Sequence, residues 1–145
     1  MLLENFKIVD SIAIEFTGTF LDLHSNFDFV KLAYNIEERT VELDWKKCSG
    51  EWAKLEQYKK LKLVFKSVDI FRVNPRDSEK PFSEDDCLSY IGYLHPDDLN
   101  LMEGFLPSEQ SEDNYHMVLG FESGLVLKIY SELVLLVAVN DATHN

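Results

Sequence analysis

Residues 60–65 read KLKLVF, with Leu61, Leu63 and Phe65 alternating against Lys60 and Lys62. A period of two is what a β-strand with one buried face requires, because successive side chains point to opposite sides of a sheet. Residues 40–45, TVELDW, repeat the pattern: Val41, Leu43 and Trp45 fall on one face, and Thr40, Glu42 and Asp44 on the other. Together they predict two adjacent strands with a common apolar face. After Phe65 the phase slips, so that Val68 and Ile70 are joined by Phe71 and Val73, which predicts a β-bulge or bend near Lys66–Ser67.

The same alternation extends outward. In FKIVDSIAIEF, residues 6–16, the even positions are apolar except Asp10. YHMVLGF (115–121) and LVLKIY (125–130) continue it, and LVLLVAV (133–139) reads as a strand covered on both faces. NIEERT (35–40) and ESG (122–124) supply hairpin loops, and Ser131–Glu132 separates the last two strand segments into a three-stranded meander. Helix signals are short. SGEWAKLEQYKKL places Trp52, Leu55 and Tyr58 at helical spacing, SEDDCL offers Ser83 as a cap, and HPDDLNLMEG starts at Pro96 and stops at Gly104. The prediction is a single domain over residues 1–145, mainly β: an antiparallel sandwich or rolled sheet. It carries one or two short helices and a long, acidic, irregular insertion around CLSYIGYL.

Composition excludes several functions. The 145 residues are 46% hydrophobic, which removes disorder as the default state. The longest apolar run, Leu133–Val139, is far below the roughly 20 residues of a membrane-crossing helix. The amino terminus carries Glu4 and Asp10 and lacks a basic segment followed by an apolar one, so a cytoplasmic location is expected. Net charge is −12, and eleven acids lie between Asp77 and Asp113 with Lys80 as the sole base there. Such a surface repels nucleic acid and anionic membranes and attracts a basic protein. Cys48 and Cys87 read as two buried, reduced thiols.

Candidate sites are weighed against plainer structural roles. Asp22, His24 and Asp28 are of metal-ligand and acid–base type, but Ser25–Asn26 reads as a turn that separates them. His95, Asp97 and Asp98 fit a strand end followed by acids at a helix start. SEDDC lacks the ligand spacing of a calcium loop. His116 is expected to be half-exposed on a strand. No phosphate loop, C-x-x-C or G-x-S-x-G is present, so no catalytic residues, metal or cofactor are assigned. The large aromatics beside the charged segments are read first as core and second as anchors for a partner.

The order TVELDW, LKLVFKSVDIFRV, acidic insertion and MVLGFESGLVLKIYSELVLLV resembles small, mostly β bacterial proteins, both the immunity type of polymorphic toxin systems and uncharacterised ones. The resemblance implies binding and neutralising a cognate toxin, with no site residues carried over from it. The charge layout itself predicts a non-enzymatic module that docks a basic protein, with Glu84, Asp85, Asp86, Asp97 and Asp98 as the expected contact residues. The alternatives are a homo-oligomeric structural domain, and a metal-dependent enzyme using His24 or His95 with a nearby Asp.

Overall fold

The computed structural model describes residues 1–98 and 112–140; Gly104, Phe105 and most of the HPDDLNLMEG segment lie outside the described residues. Ten strands are present among them: β1 (Leu2–Leu3), β2 (Phe6–Asp10), β3 (Ala13–Phe16), β4 (Thr19–Asp22), β5 (Phe27–Asn35), β6 (Thr40–Lys47), β7 (Tyr58–Asn74), β8 (Leu88–Leu94), β9 (His116–Phe121) and β10 (Val126–Asn140). The main sheet is curled and runs β5-β6-β7-β10-β9-β8, with β1 added in parallel to β10. A second sheet, β2-β3-β4, packs into the same core. The chain is mainly β, as the period-two pattern requires.

β6 and β7 pair with Leu43 opposite Leu63 and Val41 opposite Phe65, so their apolar positions come into register on one face. Those residues, with Trp45 and Leu61, are fully buried against Ile14, Leu21 and Leu23 of the small-sheet region. The phase slip is real. Ser67 has φ 56°, and Asp69 is skipped in the pairing of β7 with β10, where Ile70 faces Tyr130 and Val68 faces Ser131. Arg39, also left-handed at φ 54°, holds the bulge. Its carbonyl accepts Val68 N–H at 2.9 Å, its Nε donates to Val68 O at 3.1 Å, and its Nη2 donates to Asp69 Oδ1 at 2.5 Å. Gly124, at φ 87°, makes the tight β9–β10 turn that a side chain would strain.

Several expectations are corrected. Residues 6–16 do not form one run: Ser11–Ile12 turns the chain, and β2 and β3 fold back as a hairpin, with Asp10 at the bend. The carboxyl end has two strands rather than three, because β10 continues through Ser131–Glu132 as the long partner of β7. LVLLVAV is not covered on both faces; Val137 and Val139 are exposed. β9 is the strand that is covered on both, all six of its residues being buried: Met117, Leu119 and Phe121 belong to the main core, while Val118 packs with Leu94, Val126 and Tyr90 in a second cluster. Gly120 leaves room there for the ring of Tyr90, which a Cβ would meet at 2.2 Å.

Among the described residues helix is limited to short 3-10 turns. Glu51–Ala53 is one such turn, and strand β7 begins at Tyr58. The helical spacing of Trp52, Leu55 and Tyr58 is coincidental, since Leu55 is 95% exposed while Tyr58 is buried edge-on to Phe16. Phe82–Asp86 and Pro96–Asp98 are two more among the described residues, the former with Pro81 rather than Ser83 at its N-cap position and no side-chain cap bond.

The chain entry is clamped to β10 by Asn5, whose Nδ2 donates to Leu136 O and whose Oδ1 accepts Leu136 N–H, both at 2.8 Å. Leu136 is itself buried, so removal of the amide leaves two backbone groups short of partners. Asn5→Ala is expected to cost about 1–2 kcal/mol, read as a lower urea midpoint with an unchanged slope.

Candidate functional site

β4 ends at Asp22, and Leu23 turns into the core. Asp22 Oδ1 accepts the backbone N–H groups of His24 (3.0 Å) and Ser25 (2.8 Å), an Asx-type turn that needs a short carboxylate at that position. Asp22 therefore shapes the turn instead of pairing with the His24 ring. Phe27 starts β5, which sets Asp28 on a different element from Asp22.

The turn delivers His24 to the start of β8. His24 Nδ1 is 2.6 Å from Leu88 O and 3.5 Å from Cys87 Sγ. The β9–β10 turn arrives from the other side: Glu122 N–H donates to Cys87 O at 2.9 Å, and Asp77 N–H to Ser123 O at 2.8 Å. Ligand atoms of His24, Cys87 and Glu122 consequently lie within 4.8 Å of one another. Cys87 and Cys48 are free thiols, and both are half-buried rather than enclosed in the core. Burial pushes the Cys87 thiol up, and Glu122, Asp86, Asp28 and Glu84 push it further. A thiol whose ionisation is opposed by burial and by neighbouring acids is a weaker nucleophile than a free one.

The expected contact acids separate into groups. Asp85 is tied to Arg76 (Nε to Oδ1, 2.8 Å), which holds its carboxyl below the ordinary range. Glu84 lies 4.0 Å from Lys80. Burial and then the Asp28 charge raise the Asp86 carboxyl above the ordinary range, while Lys46 lowers it. Asp97 is elsewhere: β8, roughly 20 Å long at its seven residues, separates it from Asp86. Its side chain is 90% exposed and 3.6 Å from His95 Nδ1, which also accepts Asp97 N–H. The His95–Asp97 pair thus caps its own turn, and the Asp98 side chain lies outside what is described.

Two exposed aromatics border the acids. Phe82 is 79% exposed, with the Arg76 guanidinium 4.5 Å above its ring. Trp52 is 68% exposed and donates its indole N–H to Ser25 O at 2.5 Å, next to His24. Asp28, Glu84, Asp86 and Glu122 all bear electrostatically on Cys87; Phe82 is two residues before Glu84, and Trp52 is bonded beside His24. Sequence reading missed the roles of His24, Cys87 and Glu122 together, because no spacing motif links positions so far apart in the chain.

His116, expected to be half-exposed, is only 4% exposed; it stacks on Tyr130 at 5.1 Å between ring centroids, and its Nδ1 has no partner among the described residues. Burial, then Arg72 and the amino terminus, hold its imidazole below the ordinary histidine value. Above about pH 6.5 the ring is neutral in both states, so the shift makes no difference. Below it the unfolded chain takes up the proton first, and stability falls with pH until the folded value is reached. The melting temperature is expected to drop on acidification from neutral pH, with a shallower slope for His116→Gln.

Comparison with family models, curated proteins and solved structures gave no match. Among the described residues no helix is long and apolar enough to cross a membrane.

Proposed function

We propose that this chain is a non-enzymatic binding module that docks a basic protein through the face built from the turn Phe82–Asp86, Glu122 and the start of β5. An immunity-type role, neutralising a basic toxin, is the reading that joins this surface to the cadence of the sequence. The observation that carries it is the gathering of four carboxylates around Cys87, with the exposed rings of Phe82 and Trp52 on neighbouring segments. Charged rims steer a partner and set its orientation, while large aromatics at their border supply the desolvated contact area.

The reading narrows the contact residues. Asp86, Asp28 and Glu122 take the leading electrostatic role, Glu84 and Asp85 act with their charges partly offset by Lys80 and Arg76, and Asp97 contributes little. The test is capture from the source cell by wild-type protein and by Asp28→Asn/Asp86→Asn, with Asp97→Asn as control. A partner held by wild type and Asp97→Asn, lost by the double variant and associating more slowly as salt rises, supports the reading. Retention by the double variant sinks it.

A second reading, self-association, draws on the other side of β5, β6, β7 and β10. An open trough of about 730 Å³ there is lined by Val30, Val64, Val137 and Val139 among charged residues. Sedimentation that finds a monomer at all concentrations removes it.

A further inference from the structure

We propose that His24, Cys87 and Glu122 bind a divalent cation of the zinc class. The three ligand atoms lie within 4.8 Å of one another, and the His24 Nδ1 to Cys87 Sγ separation is 3.5 Å. Zinc bonds of about 2.0 Å to imidazole and 2.3 Å to sulfur, opened to a tetrahedral angle, set their two ligand atoms about 3.5 Å apart. The pair is thus already spaced as one edge of such a site. Glu122 supplies the third ligand from the β9–β10 turn, whose backbone is held beside Cys87 by the bond from Glu122 N–H to Cys87 O.

The surroundings favour a cation over a free thiolate. Asp28, Asp86 and Glu84 all bear electrostatically on Cys87, so a divalent charge entering between His24 and Cys87 meets a negative field. Coordination converts Cys87–SH to the thiolate with loss of one proton to solvent, and His24 gives up its Nδ1 contact with Leu88 O. Glu122 is exposed, leaving the fourth position open to water. A thiolate with an imidazole selects zinc or cobalt over calcium and magnesium, which take oxygen ligands. Sequence position hides this set, since the ligands come from the turn after β4, the residue before β8 and the β9–β10 turn.

The proposal does not rest on the docking reading, and its test uses the isolated full chain. Cobalt(II) is titrated into reduced protein, followed by the thiolate-to-cobalt charge-transfer band, then displaced with zinc. One equivalent should bind, with no competition from millimolar calcium or magnesium. Cys87→Ser should abolish the band and Cys48→Ser leave it intact. His24→Gln and Glu122→Gln should weaken binding on the order of tenfold or more, the loss caused even by removing an outer partner of a metal site. Absence of a band in wild type overturns the proposal, as does a band that survives Cys87→Ser or vanishes in Cys48→Ser. Should Cys87→Ser lower the melting temperature without metal, exposed Glu122→Gln decides: unchanged cobalt affinity in that variant also overturns the site.

Discussion

Replacing Trp45 with alanine is expected to destabilise the protein by about 3–5 kcal/mol, enough to remove a large part of the roughly 5–15 kcal/mol that holds an ordinary domain folded. Trp45 is 1% exposed on the inner face of β6, opposite Phe29 of β5 and Leu61 of β7. Its ring lies 5.1 Å from that of Phe29, which in turn lies 4.7 Å from Phe121 at the end of β9. The contact chain therefore spans the curl of the sheet from β6 to β9, and a cavity at its origin has rigid strands on several sides. Trp45→Phe should cost much less. The indole N–H has no partner among the described residues, so phenylalanine keeps most of the apolar contact and removes a buried donor that nothing satisfies. Urea unfolding followed by circular dichroism measures both; a Trp45→Ala midpoint close to wild type would show that the core is centred elsewhere.

The second large effect is expected in binding rather than stability. Phe82→Ala should leave unfolding within about 0.5 kcal/mol of wild type, since the ring is 79% exposed and rests under the Arg76 guanidinium. Against the captured partner the same change should cost about 2 kcal/mol or more, a loss of roughly 30-fold in affinity, as an exposed aromatic at a charged rim does when it becomes buried in an interface. Trp52→Ala should act in the same direction, with a somewhat larger stability change, because it also loses the bond to Ser25 O. Gly50 belongs to this arrangement: a Cβ there would lie 2.3 Å from the Trp52 ring, so the ring position depends on glycine. Calorimetric titration of the variants separates the two quantities. Reduced stability together with unchanged affinity would assign both rings to folding and dismiss the docking face.

The strands at the centre of the sheet were legible because their burial follows the simplest rule. TVELDW and KLKLVF each put one residue in two against the core, and the register of β6 with β7 turns the two patterns into one surface. The bulge was legible for a related reason: a phase slip in a strand has few physical causes, and Ser67 with the skipped Asp69 is one of them. Where pattern reading failed, neighbours decided. HMVLGF and LVLLVAV look alike in composition, yet β9 divides its side chains between the main core and a second apolar cluster with Leu94 and Val126, while β10 shows Val137 and Val139 to solvent. The break at Ser11–Ile12 was hidden because a two-residue turn can leave the alternation of apolar positions almost unaltered.

The same division runs through the functional surface. Sequence alone determined the period-two strands, the excess of acid between Asp77 and Asp113, and the turn that parts Asp22 from Asp28, since all three depend on residues close together in the chain. Only the tertiary structure decided which acids stand together. It sent Asp97 to the far end of β8, tied Asp85 to Arg76, and brought His24, Cys87 and Glu122 to one point. Those placements are set by strand pairing and by backbone hydrogen bonds such as Glu122 N–H to Cys87 O, between residues whose separation along the chain carries no periodic signal.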